Sequence, residues 1–158
     1  GPAGPTGPTG ATGPAGPGAN QTLNTNSNVT FNSVSAAGNI TAYVSDERLK
    51  TKVATISDAL EKVKTLEGFL FVENDLAKEL GCSNDKQQVG LSAQKVQVVL
   101  PEAVSLAPCD FETDESTEEI TSKSGENYLT VDYTRVVPLL VEAIKELKTE
   151  IDELRKKI

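Results

Sequence analysis

The sequence contains no histidine, methionine or tryptophan, and aromatic residues make up only 4% of its 158 residues. Without histidine, neither a Ser-His-Asp triad nor a Cys-His pair can form, and no metal ion can be held by imidazole. No apolar run approaches the roughly 18 residues of a membrane-spanning helix. We therefore expect no metal, no cofactor and no insertion into a membrane. Because no methionine starts the chain, we also expect it to be a piece of a longer protein.

Charge is missing from the first 44 positions, whereas residues 45–158 hold all 23 acidic and all 15 basic side chains. The net charge of −8 argues against a nucleic acid partner, because phosphate backbones are bound by clustered lysine and arginine. The break falls between Val44 and Ser45. An acidic run at 110–119 lacks the ligand spacing of a calcium loop, so we interpret it as a solvated loop.

Cysteine is also scarce, with only Cys82 and Cys109 present. A disulfide between them would require an oxidising compartment, which the sequence does not reveal. We expect two free thiols, with a disulfide as the alternative.

Residues 1–18 repeat glycine with a strict period of three, at positions 1, 4, 7, 10, 13 and 16. This pattern is typical of the collagen triple helix, because only glycine fits at the axis that three chains share. A flexible Pro/Gly linker is the alternative, but a linker has no reason to keep this phase. So short a repeat should be marginal alone, and another part of the chain must bring three copies together.

Residues 19–44 are rich in Asn, Thr, Ser and Val, and apolar residues alternate with small polar ones. Alternation with a period of two predicts short β-strands. One chain offers too few large apolar residues for a core, whereas three copies wound together could bury them. We predict an intertwined, β-rich fibre segment, with an ordered linker as the alternative.

Residues 45–133 have the pattern of a small α+β domain. Thr55 followed by Asp58 predicts the capped start of a helix, which Gly68 would end. The other predicted elements are a strand at 69–72, a short helix at 75–81, a strand followed by a helix from Ala93 to Leu100, and a hairpin turning near Ser124 and Gly125.

Residues 134–158 predict one long helix with a heptad repeat. Apolar residues alternate at spacings of three and four, which is typical of a coiled coil. These residues are Val137, Leu140, Ile144, Leu147, Ile151, Leu154 and Ile158. Pro138 is tolerated near a helix start, which places that start at 134–137. Isoleucine and leucine in this order favour two strands, but a collagen segment requires three, and we give the collagen symmetry precedence.

Ser45 and Lys50 are a candidate catalytic pair at the compositional break. A serine hydroxyl needs a base to take its proton, and without histidine the natural base is lysine. The amine must be neutral to act, so we expect Leu49 to shield it while Asp46 and Glu47 point elsewhere. A spacing of five does not bring two side chains to one helix face, so a turn or a strand-to-helix bend should lie between them. The alternative is a helix-capping serine beside a surface lysine.

Four stretches of the second part can be matched in order to a known family. They are SDERLK at 45–50, ALEKVKTLEGFLF at 59–71, VGLSAQKVQVVLPEAV at 89–104 and YLTVDYTRVVPLLVEAIKEL at 128–147. Together with the heptad helix, they resemble the C-terminal intramolecular chaperone domain of phage endosialidases, tailspikes and tail fibres. That domain is similar to the self-cleaving domain of the myelin regulatory factor transcription factors. The resemblance covers residues 45–158 and leaves out the collagen-like segment.

The resemblance implies a homotrimer that guides folding of the fibre shaft upstream in the same chain and then cuts itself off. The family's nucleophilic serine would correspond to Ser45, its lysine base to Lys50, and its cleaved bond to Val44–Ser45. It further implies assembly in the host cytoplasm and a place in the virion, as a tail fibre or appendage. Gln94 and Asn127 are our own candidates for supporting polar groups, with a structural role as the alternative.

The sequence therefore predicts a trimeric α+β domain with a long coiled-coil helix, preceded by intertwined fibre strand and a collagen-like triple helix. Its predicted activity is that of a single-turnover, self-cleaving serine peptidase. Two other functions stay open. The domain could remain uncut as a trimerisation knob, or it could form a fibre tip that binds a host surface receptor.

Overall fold

The computed structural model describes residues 1–10, 24–82, 84–114, 116–117 and 119–158. The chain divides into two compact units, Gly1–Ala37 and Gly38–Ile158. Among the described residues, no helix combines the length and apolar character that a membrane crossing requires.

The first unit contains neither helix nor strand in its described residues. A turn at 24–27 is closed by the Ser27 N–H, which donates to the Asn24 carbonyl at 3.1 Å. Part of the predicted collagen segment, at 11–18, and part of the predicted fibre segment, at 19–23, lie outside the described residues. Residues 24–44 form no strand within one chain. Both predictions concern structure shared by three chains, and both stay predictions.

The second unit mixes helices and strands, which confirms the α+β class. Its elements begin with a first 3-10 turn at Glu47–Leu49, followed by α1 (Ala59–Lys64), β1 (Gly68–Phe71), α2 (Asp75–Glu79), β2 (Gln88–Leu91) and α3 (Ala93–Val99). They continue with a second 3-10 turn at Pro101–Ala103, then β3 (Val104–Leu106), β4 (Phe111–Thr113), β5 (Ile120–Ser122), β6 (Leu129–Val131) and α4 (Tyr133–Lys156).

The strands form three antiparallel pairs: β1 with β2, β3 with β6, and β4 with β5. Leu106 lies opposite Leu129 in one pair, and Phe111 lies opposite Ser122 in another. The predicted hairpin around Ser124 and Gly125 is therefore wrong, because β5 and β6 pair with different strands. The chain does turn there, and Gly125 takes a φ of +78°, which glycine adopts without steric cost.

The core is built around one face of α4. Leu139 and Ala143 pack with Ala59 of α1, and Val136 packs with Val96 of α3 and Ala103. Val136, Leu139 and Ala143 are spaced by three and four residues, which places them on one stripe of the helix. This stripe is separate from the predicted heptad positions, so α4 uses one face within the chain and leaves another face free.

The predicted cap of α1 is wrong. The helix begins at Ala59, four residues after Thr55, and the Asp58 side chain makes no capping hydrogen bond. Instead, the Glu146 carboxylate of α4 accepts hydrogen bonds from the N–H groups of Ala59 at 3.0 Å and Leu60 at 2.6 Å. The first N–H groups of a helix have no partner inside it, and here a distant element supplies the acceptor. Those two bonds lower the pKa of Glu146, with Leu60 contributing most.

The long helix α4 begins at Tyr133, one residue before the predicted range. Asp132 sets this start, because its carboxylate accepts from the Thr134 N–H at 3.0 Å. Pro138 lies inside the helix but close to its beginning, as the sequence predicts.

Cys82 and Cys109 form a disulfide with their Cα atoms 5.4 Å apart. The prediction of two free thiols is therefore wrong. The two cysteines are 27 residues apart in sequence, and their approach depends on packing that local patterns do not encode. The bridge joins the turn that follows α2 to the residues just before β4.

Candidate functional site

Ser45 and Lys50 lie on either side of the first 3-10 turn. Asp46 caps this turn by accepting from the Arg48 N–H at 2.9 Å, and the Lys50 N–H closes it on the Glu47 carbonyl at 3.1 Å. The turn that the spacing of five requires is thus confirmed. It bends the backbone between the hydroxyl and the amine.

Asp46 is engaged by Arg48 and not by Lys50. The Arg48 guanidinium donates to both Asp46 oxygens, with Nη2 at 2.7 Å from Oδ2. The side-chain hydrogen bond from Arg48 lowers the pKa of Asp46. As expected, this carboxylate does not pair with the candidate base.

The predicted shielding of Lys50 by Leu49 is wrong for a single chain, because the Leu49 side chain is 74% exposed. Ser45 and Lys50 are exposed as well. In the described part of the chain, neither side chain joins a hydrogen bond or an ion pair. Residues close in sequence bend the chain but leave the amine in water.

Tyr43 holds the backbone just before the candidate bond, and sequence reasoning missed it. Its hydroxyl donates to Asp132 Oδ2 at 3.0 Å, and its ring centre lies 5.0 Å from Arg135 Cζ, within the range of a cation–π contact. Its φ is +66°, in the left-handed region that side chains seldom adopt. The partners lie about 90 positions away at the start of α4, so no local pattern could have found them.

Asp132 and Arg135 are themselves fixed. Arg135 Nε donates to Asp132 Oδ2 at 3.2 Å, and Nη1 donates to the Glu102 carbonyl at 3.3 Å. The hydrogen bond from Thr134 is the largest cause that lowers the pKa of Asp132, and the Tyr43 hydroxyl adds to it. With Tyr43 and Ala103, these residues line a cavity of about 290 Å³.

The candidate supporting groups have local partners in the structure. Gln94 Oε1 accepts from the Ser92 hydroxyl at 3.4 Å, and the Asn127 N–H donates to the Ser122 hydroxyl at 3.0 Å. Within the described residues, neither side chain bonds to Ser45 or Lys50. A role for Gln94 and Asn127 beside the pair therefore stays a prediction, and so does a structural role.

The acidic run is not wholly the solvated loop that we predicted. Asp110 is buried, and its carboxylate accepts from the Ser122 hydroxyl at 2.8 Å and from the N–H groups of Ser124 at 2.9 Å and Tyr128 at 3.0 Å. Burial alone raises the pKa of Asp110, but these hydrogen bonds outweigh it and lower the pKa to about 2. No cluster suited to a metal ion occurs among the residues that the structure describes.

The heptad positions of α4 form an uncovered apolar surface, which we call the seam. All of them are exposed in the single chain: Val137, Leu140, Ile144, Leu147, Ile151, Leu154 and Ile158. A run of apolar side chains of this length facing water is typical of a surface that another protein covers.

The match to a known protein family begins at the compositional break between Val44 and Ser45. Residues 45–105 match the model of the family described as "Chaperone of endosialidase", which is named as a peptidase family. The match begins at Ser45 and includes Lys50.

The chain is also similar to curated proteins named "Long tail fiber protein Gp37". Those of Enterobacteria phages K3 and T2 are each 37% identical over 114 residues, or 72% of this chain, which spans 8% and 7% of their lengths. That of Enterobacteria phage Ox2 is 34% identical over 112 residues, or 70% of this chain, which spans 38% of it. Residues 45–105 thus belong to the endosialidase-chaperone family, and the chain carries a chaperone domain of the kind found in phage fibre proteins.

Proposed function

We propose that this chain is an intramolecular chaperone that trimerises a viral fibre shaft and then releases itself by cutting the Val44–Ser45 bond. Its place would be the virion, since its relatives are named as long tail fibre proteins. Its partners would be two further copies and the shaft upstream in the same chain. The uncovered seam of α4 is the observation that carries the proposal.

The seam supports assembly because it is not needed for the fold of one chain. Leu139 and Ala143 already bury α4 against α1, on a different face of the helix. In a parallel trimer, the seam residues of three chains would pack as knobs into holes. The number three is proposed from the glycine period of residues 1–18, because that period predicts a triple helix, which requires three chains.

Aligned seams would help the upstream segments to wind. A short collagen repeat and a polar fibre segment gain little from forming by themselves, since three separate chains must first be brought together. We call residues 45–158 the head and the residues before them the shaft. A trimer of heads would hold three shafts in register and lower that entropy cost. Once the shaft is wound, its persistence depends on its unfolding barrier, so the head can be removed.

The proposed cut begins with an attack by Ser45 Oγ on the carbonyl carbon of Val44. The hydroxyl proton passes to the neutral Lys50 amine. The bond from that carbon to the Ser45 nitrogen then breaks, and the nitrogen takes the proton from Lys50. The resulting ester joins Val44 to Ser45 Oγ, and water hydrolyses it to a Val44 carboxyl group and a free Ser45 hydroxyl.

Exposure of the pair suggests how cutting would be tied to assembly. Apolar cover around a lysine amine favours its neutral form, which is the form that acts as a base. Because Leu49 leaves the Lys50 amine uncovered within one chain, a neighbouring copy would have to supply the apolar cover. The cut would then follow trimerisation and would not precede it.

The test is a denaturing gel of the assembled wild type beside Ser45→Ala and Lys50→Ala. Only the wild type should yield the pieces 1–44 and 45–158. Loss of the base should slow the reaction by a factor on the order of 10²–10⁴. Ser57→Ala and Lys52→Ala are matched controls, because they remove the same groups a few residues away and should be cut like the wild type.

An assembled wild type that stays whole would contradict self-cleavage. The function left standing would then be that of an uncut trimerisation knob. Cutting of Ser45→Ala at the wild-type rate would assign the reaction to another nucleophile.

A further inference from the structure

The Tyr43 side chain joins the two pieces that the proposed cut would separate. Tyr43 belongs to the shaft side, and its partners Asp132 and Arg135 belong to the head side. The hydroxyl donates to Asp132 at 3.0 Å while the ring lies 5.0 Å from the Arg135 guanidinium carbon. Only Val44 stands between this anchored residue and Ser45.

The backbone conformation of Tyr43 also indicates a functional site. A tyrosine at a φ of +66° is in a conformation that costs free energy for any residue with a Cβ atom. Such conformations persist where the surroundings impose them, and they cluster at functional sites. The contacts of the Tyr43 side chain are with the start of α4, while about two-thirds of the residue's surface is in water.

The anchor is rigid because it is built into the fold of the head. The Asp132 N–H donates to the Ala103 carbonyl at 2.8 Å, and the Asp132 carboxylate caps α4. Arg135 is tied to the Glu102 carbonyl, and Val136, the next residue, is buried in the core. A side chain held by these groups has a defined position relative to the head.

We propose that Asp132 and Arg135 form a clamp on Tyr43 that positions the Val44 carbonyl for attack by Ser45. This inference rests on the proposed function and assigns it a specificity element, an aromatic residue with a hydroxyl group one position before the cleaved bond. Tyr43 acts as a positioning residue, since it takes no part in proton transfer. Holding two reacting groups in place can contribute a large share of a rate enhancement.

The test follows cutting of the full chain in a cell-free synthesis, with assembled trimers separated on a native gel before each denaturing gel. Tyr43→Phe keeps the ring near Arg135 but removes the hydrogen bond to Asp132, and we expect cutting to slow about tenfold. Tyr43→Ala removes both contacts, so cutting should be slower still. Rates are taken from the assembled fraction, which separates positioning from assembly.

Tyr133→Phe is the matched control. It removes a phenolic oxygen that accepts from the Leu91 N–H at 2.9 Å, at the same end of α4. Among the described residues, Tyr43 has its hydrogen bond with Asp132 and its ring contact with Arg135, not with Tyr133. If losing any hydrogen bond near the start of α4 slowed the cut, Tyr133→Phe would be slow as well. We expect this variant to be cut at the wild-type rate.

A double-mutant cycle of Tyr43 and Asp132 tests whether the two residues affect the rate of cutting through their shared hydrogen bond. Asp132→Asn keeps an acceptor for the helix cap but weakens the bond from Tyr43. If the two residues act together, Tyr43→Phe should slow cutting much less in the Asp132→Asn chain than in the wild type.

The outcomes separate this inference from the proposed function. If the wild type is cut and both Tyr43 variants are cut at its rate, the clamp is overturned and the proposed function survives. Equal effects of Tyr43→Phe in both backgrounds would also overturn the clamp. If assembled wild-type chains are never cut, both proposals fall together.

Discussion

At the scale of single residues, the Asp110 carboxylate organises the loop between β5 and β6. Three donors from residues 122–128 converge on it, and the Lys123 N–H bonds to its backbone carbonyl at 2.6 Å. A buried charge is stable only when such donors replace water. Cys109, which forms the disulfide with Cys82, immediately precedes Asp110 in the sequence.

Acid should weaken the head through Asp110. Its pKa is lowered from 3.8 to about 2 in the folded chain, so its stabilisation is complete above about pH 4 and is lost as the pH falls towards 2. Asp110→Asn replaces one of the two accepting carboxylate oxygens by an NH2 group, which cannot accept from the surrounding donors. The variant should therefore have a lower melting temperature at neutral pH. The variant should also lose less stability than the wild type between pH 4 and 2, as thermal melts followed by circular dichroism would show.

Glu67→Gln is the control for this prediction. Glu67 pairs with Lys95 at 2.8 Å, but both side chains are about half exposed or more, and such pairs contribute little. Its melting curves should follow those of the wild type at every pH. If Asp110→Asn does the same, the buried carboxylate has no stabilising role.

The candidate pair could be found from the sequence because Ser45 and Lys50 are neighbours at a compositional break. Tyr43 and Asp110 could not be found in this way. The Tyr43 bond spans 89 positions, and the donors to Asp110 follow it by 12 to 18 positions. Contacts of this kind are created by the fold and leave no local pattern.

At the scale of elements, the two faces of α4 differ in burial. Leu139 is fully buried within the chain, whereas Ile144 and its heptad partners are exposed. The heptad pattern predicted the long helix, and Ser92 and Asp132 cap α3 and α4 through short-range bonds. The strand pairs were not predicted from the sequence. β3 pairs with β6, which is not the next strand, and β4 pairs with β5 across a polar loop.

Substitutions on the two faces should have different effects. Leu139→Ala opens a cavity inside the head and should lower the free energy of unfolding by about 3 kcal/mol. Ile144→Asp leaves that core intact but places a charge in the seam, so it should abolish the trimer. Light scattering after size exclusion measures the number of chains, and denaturant melts measure the stability.

Thr149→Asp is the matched control for the seam, because it adds the same charge to the same helix outside the heptad core positions. It should remain trimeric. A trimeric Ile144→Asp variant would exclude the seam as the assembly surface.

The disulfide links the turn that follows α2 to the residues just before β4. Closing a loop of 27 residues should stabilise the head by roughly 3 kcal/mol. A reducing agent should therefore lower the denaturant midpoint of the wild type. The double variant Cys82→Ser, Cys109→Ser should show the lower midpoint with and without reducing agent, and insensitivity of the wild type would contradict the bridge.

At the scale of the whole molecule, the proposed function connects three parts of the chain. The glycine repeat predicts three chains, the exposed seam is proposed to bring them together, and Ser45 is proposed to cut off the part that carries the seam. The composition of the sequence already marked that boundary, since the first charged side chain, Asp46, directly follows Ser45. The Lys50 side chain is exposed in one chain, and its cover by a second copy is part of the proposed function.

Cutting should therefore depend on assembly. The Ile144→Asp variant keeps Ser45, Lys50 and Tyr43, yet it should remain whole because its chains do not meet. Thr149→Asp should be cut like the wild type on the same denaturing gel. Efficient cutting of a monomeric Ile144→Asp chain would show that one copy supplies all the groups that the reaction needs.

The most direct test of the central claim is the intact mass of the assembled wild-type protein. We expect two masses, those of residues 1–44 and 45–158, with a free carboxyl group on Val44 and an unmodified Ser45 at the start of the second piece. Ser45→Ala, assembled in the same way, should give the mass of the whole chain. A single whole-chain mass in the assembled wild type, or a cut at any other bond, would contradict the account.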